Sequence, residues 1–422
     1  MSDALPLPAR PDLAQYRKIA KELQRACRSG EADAVREWAA RLAETVGRLR
    51  GEDLAGEAHR LEYRWREFRK KNDECTLAGA QFFLARAHGF PSWPKFAGHL
   101  EALAQARPEV ALFEAAVNAI VGGDAVALAA LLKEDPELVR RRSAREHRST
   151  LLHYVSANGV EDFRQKTPAN IVEMVKMLLD AGADVNAESD AYGGRSTALG
   201  LTATSCHPEA AGVQIQLMEL LLAHGARIDE DGVNACLHNG RGRAAEFLAS
   251  RGARLDLEGA AGVGRLDVVR SLLNDDGSLK PAATRKQLLD GFGWACAFGR
   301  NSVVAFLLER SLAVDVRLAG GETGLHWAAY EGRADTVELL LAKGAPVDAV
   351  DERYEGTPLG WALYGWGYAE KEGDFHEVVR WLVRAGAALK AEWFEADDDR
   401  NRAAARVRAD SRMAAALRGE AS

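Results

Sequence analysis

Residues 322–348 read ETGLHWAAYEGRADTVELLLAKGAPVD, and the spacing of that string decides the fold. After a short turn segment, Leu325, Ala328 and Ala329 recur at helical spacing until Gly332 stops the run. A second periodic run carries Val337, Leu339, Leu340 and Leu341 and ends before Gly344. The pattern predicts two short helices joined by a tight turn. Paired small residues let neighbouring hairpins stack closely, and glycine supplies the left-handed conformation that closes a helix.

The same skeleton returns along the chain. Residues 149–186 (STLLHYVSANG, then IVEMVKMLLDAGADVN) and 357–387 (TPLGWALYGWG, then HEVVRWLVRAGA) are clear copies, and 196–229 is a fair one. Weaker copies lie at 110–139, 232–256, 259–273 and 292–315. The quoted stretch resembles an ankyrin repeat, matching T-x-L-H-x-A-A-x-x-G, then V-x-x-L-L, then G-A, with Gly324 where that family usually has Pro. The resemblance covers roughly residues 108–390. It implies an all-α, ankyrin-like α-solenoid of about eight degenerate helix-turn-helix repeats with short hairpin fingers. Cap glycines Gly182, Gly225, Gly252, Gly344 and Gly386 are unevenly spaced, because three repeats carry surplus residues between their two helices: VEDFRQKTPAN, CHPEAAGV and YAEKEGDF. A further irregular connector, NDDGSLKPAATRKQ, predicts a longer loop or an extra helical turn.

Residues 1–107 are expected to form a separate helical domain, since four periodic segments follow a Pro-rich lead. Within it, Gly89, Phe90, Ser92, Trp93 and Pro94 make a GF-x-SWP core similar to a short helical pair that often precedes ankyrin arrays in bacterial proteins. Ser92 is expected to cap the second helix there, with Phe90 and Trp93 pinning the turn. The tail at 391–422 reads as a polar helix that either caps the last repeat or frays.

Composition bounds the function. The 422 residues are 47% hydrophobic and 28% charged, ordinary globular values. A net charge of -7 disfavours a protein living on phosphate backbones. Five scattered cysteines without a C-x-x-C pair argue against a disulfide framework and a thiolate zinc site, which fits a reducing cytoplasm. No apolar leader or membrane-length run is present, and the excess of arginine over lysine suits a GC-rich bacterial genome.

Candidate chemistry reads mostly as structure. Gly259, Gly262 and Gly264 mimic a phosphate loop but align with a helix-helix turn of a repeat. His153 and His326 occupy the motif histidine position, where the ring is expected to bond backbone groups of adjacent repeats. Cys206 beside His207 lacks a third orienting group, and His147, His207 and His224 lack metal-ligand spacing, so no cofactor and no metal are expected.

The resemblance implies binding without catalysis, through finger tips and inner helices that present a concave face to a protein or peptide partner. Its expected contact residues are Arg145, Arg148, Asn158, Tyr192, Arg195, Thr204, Tyr330, Glu331, Arg353, Tyr354, Tyr364 and Trp366. The aromatic group Trp327, Tyr330, Tyr354, Trp361, Tyr364, Trp366 and Tyr368 weighs most, because Trp and Tyr make hot spots. Two alternatives stand beside it. One is an enzyme or small-molecule binder whose inserted loops close a pocket. The other is a polyanion-binding scaffold using the arginine runs VRRRSAREHR and RLEYRWREFRKK.

Overall fold

In the computed structural model the described residues are 4–8, 11–31, 33–46, 54–71, 74–104, 108–367, 373–390, 393 and 402–420. They divide into two compact units, Met1–Ile228 and Asp229–Ser422.

The first unit opens with α1 (Leu13–Ser29), α2 (Ala34–Val46), α3 (Leu54–Lys71), α4 (Leu77–Ala87) and α5 (Trp93–Ala104). Asp12 caps α1 by accepting from Ala14 N at 2.9 Å, and Gly30 closes it with φ 71°. Apolar faces of these helices meet in one core around Trp38, Leu61, Trp65, Phe83 and Phe96. Three helix pairs follow: α6 (Pro108–Gly122) with α7 (Ala125–Glu134), α8 (Leu151–Tyr154) with α9 (Ile171–Asp180), and α10 (Ala198–Thr204) with α12 (Gln214–Ala223). Between α10 and α12 the surplus residues form α11 (Cys206–Ala210), and between α8 and α9 they form a 3-10 turn at Asp162–Arg164.

The second unit holds five more pairs: α13 (Gly232–His238) with α14 (Gly242–Ser250), α15 (Leu257–Gly262) with α16 (Leu266–Ser271), α17 (Arg285–Ala297) with α18 (Asn301–Arg310), α19 (Gly324–Tyr330) with α20 (Ala334–Ala342), and α21 (Pro358–Trp366) with α22 (Phe375–Arg384). The long connector before α17 ends as added helix, so α17 has 13 residues where α19 has 7. Two helices close the chain, α23 (Arg402–Ala409) and α24 (Ser411–Leu417). Met413, Ala416 and Leu417 of α24 are buried in the core of this unit, and His376 Nε2 meets Asp410 Oδ2 at 2.9 Å. The tail therefore seals the last pair.

Each unit is all-α and carries stacked helix pairs of the ankyrin type. Among the described residues, strand pairing is limited to Glu188–Ser189 against Ser196–Thr197 and an isolated bridge between Leu273 and Leu279. Ala328 and Ala329 are wholly buried where α19 packs on its neighbours. At the helix ends, Gly344 has φ 85°, a conformation that L side chains rarely adopt.

Histidines at the motif position lock successive pairs together. His326 Nδ1 accepts from Thr323 N at 3.1 Å while its Nε2 meets Gly356 O at 3.2 Å, and His153 repeats the pattern with Thr150 and Ser196 O. The carbonyl contact requires the proton on Nε2, so the ring is neutral and its tautomer fixed. Burial pushes the His153 pKa down to about 4 and lowers that of His326.

Two expectations need correcting. Cys27 and Cys75 form a disulfide, with Cα atoms 5.8 Å apart, so the scattered cysteines do hide a bridge. Helix packing, not spacing, brings the end of α1 beside the start of α4. Arg145, expected on a binding face, is 2% exposed and belongs to a buried charge network. Its Nη1 donates to His88 O at 2.7 Å and its Nε pairs with Glu161. Arg164 Nη1 donates to Glu161 Oε1 at 3.0 Å, and Nη2 to Glu114 Oε2 at 2.5 Å. The finger that carries Arg145 thereby docks on the GF-x-SWP turn, where Glu146 N also donates to Gly89 O at 2.9 Å.

Candidate binding face

Tryptophans recur at one register in three successive first helices of the second unit: Trp294 on α17, Trp327 on α19 and Trp361 on α21. Stacking of the pairs turns that sequence period into a ladder. Trp294 and Trp327 have centroids 5.5 Å apart, and Trp327 meets Trp361 edge to face at 5.5 Å. Tyr330 lies 5.8 Å from Trp361 and stacks on Tyr364 at 6.3 Å, while Tyr354 meets Trp361 at 6.3 Å. Such offset and edge-to-face contacts fix ring orientation. Tyr354 and Tyr364 stand 66% and 62% exposed at the solvent side of the ladder. The Arg353 guanidinium covers the Tyr354 ring at 5.1 Å.

A buried carboxylate sets the finger that carries Tyr354. Asp351 accepts hydrogen bonds from the backbone of Arg353, Tyr354 and Gly356 and from the Trp361 indole. Burial alone would raise its pKa, but these four donors hold it below the ordinary aspartate value.

Of the expected contact residues in this unit, Tyr330, Tyr354, Tyr364 and Arg353 come together on the ladder. Glu331 closes α19 and is half-buried, and Trp366 packs against the core. Tyr368 lies outside the described residues. In the first unit, Asn158, Tyr192 and Thr204 join in one hydrogen-bonded group: Tyr192 Oη donates to Asn158 Oδ1 at 2.5 Å, and Asn158 Nδ2 to Thr204 Oγ1 at 3.1 Å. Arg148 and Arg195 are exposed and have positive φ values of 49° and 62°. Trp294 escaped the sequence reading, although its signal was available: Trp294, Trp327 and Trp361 each precede an alanine and fall 33 and 34 residues apart.

Several cations of the arginine runs pair within the fold. Arg60, Arg66 and Lys70 pair with Glu57, Glu62 and Glu67 along α3, and Arg140 and Arg141 pair with Glu137 and Asp135. Gly262 ends α15 and Gly264 sits in the following turn, with no strand before them, as a helix-helix turn requires. Among the described residues, the ligand-type atoms of His238, Glu258 and Asp290 lie within 4.8 Å of one another. No helix among the described residues is long and apolar enough to cross a membrane.

Comparison with known proteins agrees with the repeat pattern. Residues 292–392 match the family model described as ankyrin repeats in three copies, and residues 147–190 match that of a single ankyrin repeat. Ankyrin repeats are therefore present. The chain is 34% identical over 115 residues to the ankyrin repeat domain-containing protein SAT10 of Stachybotrys chartarum, a match covering 27% of this chain and 6% of that protein. It is 37% identical over 93 residues to the palmitoyltransferase Hip14 of Drosophila melanogaster, covering 22% of this chain and 13% of that one. With the probable E3 ubiquitin-protein ligase XBOS31 of rice it shares 32% over 138 residues, 33% of this chain and 30% of the other. The chain thus spans a minor part of each relative's length, and these relatives are eukaryotic, so the bacterial type expected from composition and the GF-x-SWP turn finds no support among them. The solved ankyrin repeat domain of human ASB11 aligns with 66% of this chain and 99% of its own length, at 19% identity and a TM-score of 0.33.

Proposed function

We propose that the second unit is a non-catalytic recognition module that takes a protein or peptide partner on the face formed by Tyr330, Tyr354, Trp361 and Tyr364. One observation carries this reading: two tyrosines more than 60% exposed are held rigid by a continuous aromatic ladder beneath them. Rings already fixed by packing lose little freedom when a partner covers them, and so return most of their burial as affinity. Two of the relatives that bear the same repeat type are named as enzymes of different kinds, a palmitoyltransferase and a ubiquitin ligase, and the likeness covers only the ankyrin region. An array shared by unlike enzymes fits recognition better than chemistry. We place that recognition in the cytoplasm on the repeat type alone, since the Cys27–Cys75 bridge removes the cysteine argument for a reducing compartment.

The test compares wild type with Tyr354→Ala/Tyr364→Ala in capture from native lysate, followed by titration of each recovered protein. The double variant is expected to lose about 2 kcal/mol or more of binding, roughly thirtyfold in Kd, at an unchanged melting temperature. Equal recovery and equal affinity for both proteins would sink the assignment.

A further inference from the structure

We propose that His238, Glu258 and Asp290 form a binding site for a first-row divalent transition-metal ion of the zinc type. This inference stands apart from the reading of the aromatic face and does not rest on it. Each ligand comes from a different first helix, α13, α15 and α17, so the site is assembled by stacking and not by a local motif.

The distances suit a metal. His238 Nε2 lies 2.7 Å from Glu258 Oε1, and all three ligand atoms fall within 4.8 Å of one another. Bonds of about 2.0–2.1 Å at tetrahedral angles separate neighbouring ligands by about 3.3 Å. The His238–Glu258 contact at 2.7 Å is a direct ion-pair distance that an entering ion must open to about 3.3 Å, and Asp290 lies within 4.8 Å of both. Two glycines bring the helices that near. A Cβ on Gly291, the residue after Asp290, would stand 3.0 Å from Glu258 Cα, and one on Gly259, the residue after Glu258, would stand 2.7 Å from Asn234 Oδ1 on α13.

Electrostatics point the same way. Glu258 is only 4% exposed, and a buried carboxylate calls for a compensating cation. It receives the Trp294 indole N–H at 3.0 Å, the kind of outer contact that aims a metal-ligating carboxylate. Asp290 pairs with Lys286, whose side chain is 77% exposed and free to swing into solvent. His238 is 48% exposed, which leaves an entry path. One imidazole with two carboxylates selects a zinc-like ion over Ca²⁺ or Mg²⁺, which prefer all-oxygen sites, and three protein ligands leave a position for water.

The experiment titrates the full chain, stripped with a chelator, with Co²⁺ and follows the visible d–d bands of low-coordinate cobalt. A single equivalent is expected to raise the bands, Zn²⁺ to abolish them, and Mg²⁺ or Ca²⁺ to leave them unchanged. Substituting Glu258→Gln, which keeps shape and the Trp294 contact, should weaken binding about tenfold or more, and His238→Ala should remove the bands. Lys286→Ala should tighten binding, because the ion no longer competes with the ammonium for Asp290. A purely structural His238–Glu258 pair would give no cobalt bands in wild type. Bands absent there, or retained in His238→Ala, overturn the site; melting of the metal-free variants verifies that each is folded.

Discussion

Trp361 donates its indole N–H to Asp351 Oδ2 across 3.0 Å, a bond that ties the ladder to the finger preceding α21. The same carboxylate receives Arg353 N, Tyr354 N and Gly356 N at 2.9, 2.7 and 2.9 Å. Asp351→Ala strands these donors, so it should cost about 1–3 kcal/mol in chemical denaturation and release Tyr354 from its place. Asp351→Asn, which retains one acceptor oxygen, should cost less. The pKa is depressed in the fold, so this stabilisation is complete above about pH 4 and lost as pH falls through the folded value. An alanine variant as stable as wild type at pH 7 would refute the linkage.

Acid should also weaken the fold through histidine, over a higher range. His153 and His99 have pKa values lowered to about 4, mainly by burial, against about 6.5 when unfolded. The unfolded chain binds the extra protons between those limits, so stability is full above pH 6.5 and declines toward pH 4, by up to about 1.4 kcal/mol per pH unit for each ring. His153→Gln should lower stability at pH 7 and flatten this slope. Parallel pH profiles for wild type and variant would show that His153 is not held neutral.

Glu161 balances two buried guanidinium groups, those of Arg145 and Arg164, and they hold its carboxyl well below the usual range despite a burial that opposes ionisation. Glu161→Leu removes the shared counter-charge and should cost about 3–5 kcal/mol. Adding Arg145→Met to Glu161→Leu leaves Arg164 with Glu114 at 2.5 Å and should recover much of the loss. The comparison is a double-mutant cycle read by urea denaturation; simple additivity of the two changes would mean that the charges do not act as a unit.

The repeats were legible because each is a local pattern: Thr323, His326 and Gly344 fall at fixed offsets, and their hydrogen bonds and φ value follow from those offsets. The ladder was half legible. Tyr330 and Tyr364 follow from their inner-helix place in the repeat pattern, whereas Trp294 requires comparing one register across three successive repeats. Groups assembled by stacking left no trace in spacing: Glu161 reaches Arg145 from an inserted segment, Cys27 meets Cys75 across 48 residues, and Asp290 reaches Glu258 from the next first helix. The basic string 140–148 divides in the fold: Arg145 is buried against Glu161, whereas Arg140, Arg142 and Arg148 stay exposed.

Gly344 offers a test in which packing plays no part. A Cβ built there meets nothing within 4 Å, so a substitution changes only the cost of holding φ at 85°. That cost is about 1–2 kcal/mol for an ordinary L residue and smaller for Asn, which tolerates the left-handed region. Stability should therefore fall in the order Gly, Asn, Ala, Val, with Val worst because its branched Cβ crowds the backbone. Gly365 supplies the contrast, since a Cβ there would collide with the Tyr330 carbonyl, and Gly365→Ala should disturb the Tyr330–Tyr364 stack as well as stability. If Gly344→Val melts at the wild-type temperature, the left-handed cap is not what ends α20, and the turn between repeats must be held by other contacts.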